Sequence, residues 1–310
     1  MRKIALSITI LGMSLLPVLC TAPAHAAGTQ GETWVAGTGT DTGTCPITAP
    51  CKSFSFALTQ TTAGGVINCL SSGNFQLASA ATLAIAQQVT IDCHDSYAQF
   101  LTPSGGPAIA ISAGTVVTLR NINIDGQSGI ASNAIVVSGT AGTVHIEDVA
   151  IDNFSGPAIS DQRSSGNTLL FVKNTTLRNN GGGVYLTGSG TTAELDNVRS
   201  VGNTVYGVSV AAASNGVVVN NSVVSGNLVA GLNAGSGATV LVDNTEIVGN
   251  GTGINSGAVG AVIIANSDIY FNGTGIAGTV FSYGTTRIYA NGSPGTAPLV
   301  GPATSEHGQQ

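Results

Sequence analysis

The sequence predicts an all-β solenoid, a parallel β-helix of about ten coils with a short N-terminal capping helix. Three observations predict it. First, asparagine recurs in two columns. One holds Asn174, Asn197, Asn221, Asn244 and Asn266, in steps of 23, 24, 23 and 22. The other holds Asn180, Asn203, Asn227, Asn250 and Asn272, with the same steps. A fixed period in this range marks stacked repeats. Second, apolar residues alternate ahead of the first column, as Val240 and Val242 do before Asn244. That is strand periodicity. Third, a glycine and an apolar residue follow the second column in every repeat: Gly183-Val184, Gly207-Val208, Gly231-Leu232, Gly253-Ile254 and Gly275-Ile276.

Each repeat therefore reads as strand, Asn-marked turn, strand, Gly-containing turn and third strand. Strands this short gain partners only from the next coil, about 4.8 Å away. Asn suits the turn because it tolerates the left-handed region and bonds locally through its amide. Stacked amides can also bond between coils. On this reading Asn174, Asn197, Asn221, Asn244 and Asn266 form the structural ladder, with Asn174 buried.

In chain order, residues 1–26 read as a secretory signal peptide. Arg2 and Lys3 supply the positive start, residues 4–19 are mainly apolar, and Ala24-His25-Ala26 places cleavage after Ala26. The apolar stretch is short and Pro17 interrupts it, which argues against a membrane anchor. Cys20 follows bulky Val18 and Leu19, unlike a lipoprotein signal. Residues 27–65 read as an N-terminal strand, around Trp34 and Val35, and a helical cap. Phe54, Ala57 and Leu58 share a helical face, Ser53 can cap the start, and Gly64-Gly65 is the expected stop. A solenoid needs such a cap over its open core and strand edges. Coils are expected from 66 to 292, and residues 293–310, rich in Gly, Pro and Ala, read as a mobile tail or loose cap.

Four cysteines remain after the signal: Cys45, Cys51, Cys69 and Cys93. An even count in an exported chain favours disulfides. Three pairings exist. Spacing favours Cys45–Cys51, close in sequence, and Cys69–Cys93, which are 24 residues or one coil apart. A metal site is disfavoured, since there is no CxxC pair and only four His. The destination is outside the cytoplasm, secreted or periplasmic.

Charged residues are 8% of the chain and Lys plus Arg number 9. The net charge is −6, and losing Arg2 and Lys3 takes it to −8. An acidic, Arg-poor surface excludes nucleic acid as a partner. Amphipathic segments are strands, so neither a membrane-surface helix nor a span after signal removal is supported.

The repeat resembles that of the right-handed parallel β-helices of the pectate-lyase-like superfamily, over roughly residues 66–291. That superfamily includes lyases, hydrolases, epimerases, tailspikes and secreted proteins without known activity. The resemblance implies a site on the strands after Gly, whose outward residues read as Tyr185, Ser209, Asn233, Asn255 and Ala277. None is charged. A lyase needs a base and usually carboxylates for Ca²⁺; a hydrolase needs paired carboxylates. Catalysis is not carried over, no cofactor is expected, and Ca²⁺ enters only if the protein is a lyase.

Three charged groups remain to be weighed. Asp161 and Arg163 follow strand residues, with Asp152 and Arg178 in one column nearby. Together they read either as an atypical acid–base or glycan site, or as a solvated loop with surface ion pairs of little energetic weight. Asp92-Cys93-His94-Asp95 loosely resembles the Asp-Pro-His-Glu motif of alginate epimerases, differing at two of four positions. A polar turn beside a structural cysteine explains it better. Arg120, Glu147, Lys173 and Asp196 alternate in sign down one column and read as structural.

Phe171, Val218, Leu241 and Ile263 form an outward apolar stripe. Such a stripe marks a covered face, a homo-oligomer contact or a partner site. Three functions follow: a non-catalytic surface that binds a polysaccharide or cell-surface component, a polysaccharide lyase, hydrolase or epimerase with an atypical site, or a protein assembling through the stripe.

Overall fold

The computed structural model describes residues 28–300 apart from 77–81, 95–97, 102–105, 113, 128–131, 140–141, 165–167, 212–215 and 258–260. The expected signal peptide with its cleavage after Ala26, Cys20, Asp95 and residues 301–310 lie outside the described residues.

The chain is an all-β parallel solenoid. Three sheets run its length, with twelve, ten and ten strands. We name them A, B and C in the order each coil visits them. The repeat around Asn244 shows the plan: Thr239–Asp243 in sheet A, Glu246–Val248 in sheet B and Thr252–Ser256 in sheet C. Each strand pairs in parallel with its counterpart one coil away, as Val242 does with Ile264 and Ile254 with Ile276. Alternation sends Val240, Val242, Ile247 and Ile254 inward, where they are buried. The core is thus a stack of Val, Ile and Leu rows, each contributed by one strand position.

The bend between sheets A and B is made by a single residue at positive φ. Asn121, Asp148, Asn174, Asn197, Asn221, Asn244 and Asn266 all hold it, with φ of 45–58°. Asn174 is not buried as expected: it is exposed, and so are Asn197, Asn221, Asn244 and Asn266. Their amides bond upward in short links, Asn197 to Asn174 at 2.9 Å and Asn244 to Asn221 at 2.6 Å. Asn174, Asn221 and Asn266 donate instead to Asp148, Asp196 and Asp243. A residue at a sharp corner turns its side chain outward, so this column's role is conformational.

The continuous buried ladder is the second column. Asn203 donates from Nδ2 to Asn227 Oδ1 at 2.9 Å, Asn227 to Asn250 at 2.9 Å, and Asn250 to Asn272 at 3.0 Å. Each oxygen also accepts the backbone N–H of the preceding ladder residue, as Asn250 Oδ1 does from Asn227 N at 2.9 Å. Asn180, Asn203, Asn227, Asn250 and Asn272 are all buried. They satisfy the backbone of the bend between sheets B and C, which water cannot reach.

At the N-terminal end the helix Phe54–Gln60 covers the core. Ser53 Oγ accepts from Phe56 N at 3.2 Å, the expected cap. Phe54 packs on Phe75 and Phe100, with ring centroids 5.4 and 4.5 Å away. The helix does not run to Gly64-Gly65. It ends at Thr61, extended at φ −83°, whose hydroxyl donates to Ala57 O at 2.8 Å. A strand, Thr61–Cys69, starts there at once. Gln30–Val35 lies at the edge of sheet A beside it. Disulfides join Cys45 to Cys51 and Cys69 to Cys93.

The C-terminal boundary differs from the expected one. Ser293–Gly295 pairs with Thr274–Ala277 in sheet C, and Leu299–Val300 pairs with Val280–Ser282 in sheet A. Residues 293–300 thus continue the winding. Their Gly and Pro content hid strands of two and three residues. Among the described residues no helix is long and apolar enough to cross a membrane.

Candidate functional site

The outward face of sheet C carries one register column: Ser160, Tyr185, Ser209, Asn233, Asn255 and Ala277. Its neighbours along each strand, such as Val184 and Leu186, are buried, so alternation fixes the direction. Asn255 donates to Asn233 Oδ1 at 2.8 Å, and Asn233 donates to Ser209 Oγ at 3.1 Å. Gln162 donates to Ser160 Oγ at 3.2 Å. The column is neutral, and polar up to Ala277; Ser160 and Ser209 are buried within it, while Tyr185, Asn233, Asn255 and Ala277 are half-buried.

Tyr185 lies back over Gly182. A Cβ on Gly182 would fall 2.3 Å from Tyr185 Cε1, so only glycine leaves room for the ring. Tyr206, one coil on, has its ring centroid 6.0 Å from that of Tyr185. Burial pushes the Tyr185 phenol up to about 12, with Tyr206 adding to it. The hydroxyl is therefore neutral across the physiological range.

The four charged candidates do not converge. Asp161 pairs in register with Leu186, which makes it an inward residue of sheet C. It is 0% exposed and Arg163 is 1% exposed. Arg163 Nη2 and Nε hold the Asp161 carboxylate at 2.5 and 3.0 Å. The guanidinium also donates to Gly142 O at 2.7 Å and Leu169 O at 3.1 Å. This is neither a solvated loop nor an open acid–base site. It is a buried clamp from the end of sheet C to the start of sheet A. The parity of Ile159 and Asp161, two apart on one strand, was the available signal.

Asp152 and Arg178 sit on sheet B, facing each other across adjacent strands. Arg178 Nε reaches Asp152 Oδ1 at 2.7 Å and Nη2 reaches Oδ2 at 3.1 Å. Arg178 is exposed and Asp152 half-buried, and the pair belongs to a different sheet from Asp161.

Asp92 and His94 line a shallow depression with Arg120, Asn121, Glu147 and Asp148. Asp92 accepts from Asn121 Nδ2 at 2.7 Å and faces Arg120 at 3.6 Å. Arg120 Nε also lies 3.0 Å from Glu147. The Asp92 carboxylate is engaged in the alternating charge column, which continues through Lys173 and Asp196.

On sheet A, the apolar stripe is real but interrupted. The outward column reads His145, Phe171, Glu194, Val218, Leu241, Ile263, Phe281 and Leu299. Glu194 separates Phe171 from the rest. Phe281 and Leu299 extend the stripe beyond the residues that the repeat alone identified. Phe171 stacks instead on His145, at 4.9 Å and 12°.

Three parallel sheets of short strands, wound coil on coil around an internal Asn ladder, define a parallel β-helix of the pectate-lyase-like kind. The family model for the right-handed β-helix region matches residues 58–223, and the chain belongs to that family. Among solved structures it is similar to the A-module of the mannuronan C-5 epimerase AlgE6 of Azotobacter vinelandii. There the identity is 17%, the TM-score 0.55, and the match covers 73% of this chain and 67% of that one. It is also similar to pectate lyase Pel9A, at 12% identity and TM-score 0.54, over 92% of this chain and 79% of that one. At these identities the likeness is one of fold. No curated protein sequence matches the chain.

Proposed function

We propose that this is an exported, non-catalytic β-helix protein that holds a neutral polysaccharide along the outer face of sheet C. The observation that carries the reading is the uncharged column from Ser160 to Ala277, in which Tyr185, Asn233 and Asn255 are half-exposed and the Tyr185 ring lies back over Gly182 of its own strand. Hydroxyls of a glycan suit amide and hydroxyl partners, and an aromatic ring suits the apolar face of a pyranose. Coils about 4.8 Å apart repeat at close to the length of one sugar. A uronate polymer would require cations that this column lacks. Glycosidic cleavage would require a carboxyl pair, and elimination would require a base. The fold likeness to a mannuronan epimerase and a pectate lyase favours polysaccharide as the ligand class. Two disulfides suit an oxidising compartment and favour export.

Affinity electrophoresis in gels carrying neutral or acidic polysaccharides tests this. Retardation by a neutral polymer is expected, and Tyr185→Ala should weaken it about tenfold, the equivalent of ~1.4 kcal/mol. Unsaturated products and new reducing ends should both be absent, with and without Ca²⁺. Turnover that disappears in Asp152→Ala, or retardation by acidic polymers alone, would overturn the reading.

A second reading, homo-oligomerisation through sheet A, is favoured by the continuation of the stripe to Phe281 and Leu299. Val218, Leu241 and Ile263 line a shallow apolar groove there with Tyr283. Under it, Leu241→Asp should reduce the mass measured by light scattering to that of one chain. An unchanged mass in the variant and the wild type rules this assembly out.

A further inference from the structure

The turn from sheet B to sheet C repeats one backbone conformation. The residue just before each buried Asn has positive φ: Asn179, Gly202, Gly226, Gly249 and Phe271, between 53 and 66°, and Asn153 and Ala290 hold it at the equivalent positions before Phe154 and Asn291. Asn and Gly tolerate this region, and a bulky side chain there is a genuine outlier. Phe271, at φ 53°, is such an outlier, and it is 64% exposed. Burial does not compensate for the strain. Backbone strain held at an exposed aromatic points to a use for the ring.

Phe271 is not isolated. Its centroid lies 5.3 Å from that of Tyr270, with the ring planes 67° apart. Tyr270 stacks on Tyr289 of the next coil, at 5.1 Å and 2°. Tyr289 is 47% exposed. The next outward column of sheet B supplies hydrogen-bonding groups beside the rings. Tyr270 Oη lies 3.4 Å from Glu246 Oε2, and Arg287 pairs with Asp268.

We infer that Tyr270, Phe271 and Tyr289 form a second carbohydrate site, at the corner between sheets B and C, which stacks on a neutral pyranose. The rings span two adjacent coils, about one sugar length. A stable protein partner needs about 800 Å² on each side, far more than three partly covered rings present. Two carboxylates against one guanidinium leave the corner acidic, so a uronate is disfavoured and a neutral sugar fits. The corner site stands on its own geometry. Its consequence, a protein with two glycan sites that can bridge chains, rests on the sheet C reading as well.

The test uses Phe271→Gly, which installs the residue that Gly202, Gly226 and Gly249 already place at this position. Its Tm should equal or exceed that of the wild type, so a loss of binding is not a loss of fold. Tyr289→Ala provides an independent variant. Affinity electrophoresis with hydroxyethyl cellulose, xyloglucan and galactomannan is run on the wild type, Tyr185→Ala, Phe271→Gly, Tyr289→Ala and the two double variants that combine Tyr185→Ala with each corner substitution. Tyr185→Ala should keep a residual retardation by at least one polymer, and Phe271→Gly or Tyr289→Ala should remove it. No residual retardation in Tyr185→Ala, or one that both corner variants leave unchanged, overturns the corner site. Loss of all retardation in Phe271→Gly alone would keep the corner and reject sheet C. A fall in mass by light scattering in Phe271→Gly would mark a protein contact and overturn the proposal.

Discussion

Replacing Arg163 by alanine is expected to destabilise the protein by about 3–5 kcal/mol, because it strands the buried Asp161 carboxylate. Arg163 provides both charge-assisted bonds to Asp161 and the bonds to Gly142 O and Leu169 O. Its removal leaves a charge and two carbonyls without these partners in a dry interior. Changing both residues should be much milder. Leu186 occupies the position of Asp161 one coil on, so Asp161→Leu with Arg163→Met replaces ions by apolar groups that the stack already accommodates. Urea unfolding of the wild type, the single and the double variant decides it. A single variant within about 1 kcal/mol of the wild type would show that the clamp is not what joins sheets C and A here.

Asn227→Ala should be the second large effect, about 2–4 kcal/mol. Asn227 Oδ1 accepts from Asn203 N at 3.1 Å and Asn203 Nδ2 at 2.9 Å, while its Nδ2 donates to Ser200 O at 3.2 Å and Asn250 Oδ1 at 2.9 Å. Alanine removes all four bonds and leaves the buried Asn203 N–H without its acceptor, while Asn203 Nδ2 and Asn250 Oδ1 each lose one partner on the neighbouring coils. The contrast is Asn244→Gly. Asn244 is exposed, at φ 45°, and its amide donates to Asn221 Oδ1 at 2.6 Å. Glycine accepts that φ, so the loss should stay within about 1 kcal/mol. Comparable losses at 227 and 244 in parallel urea titrations would refute the assignment of the ladder to the second column.

The repeat was legible because strand alternation and turn chemistry are local. Val240 and Val242 must face one way and Asn244 must turn the chain, whatever lies above or below. The disulfides were legible too, since one coil of 24 residues places Cys69 under Cys93. Which Asn column is buried was not. Both columns share the same period, and only the closing of sheet B onto sheet C shows which amide points into the core. The Asp161–Arg163 clamp was missed for a related reason. Charge suggested surface, while the parity of Ile159 and Asp161 pointed inward. The corner of Tyr270, Phe271 and Tyr289 left no sequence signal as a group. Tyr270 and Tyr289 become neighbours only through the register of sheet B, and the strain at Phe271 is a backbone property.

By itself, the sequence determined the period, the strand directions and the turn positions, and favoured the cystine partners that the structure holds. These follow from steric rules that act within one coil or between two. The tertiary structure alone decided which polar groups were removed from water. Burial depends on how all three sheets close around the core, and the same Asn or Asp is a surface link or an internal support according to which way that closure turns it.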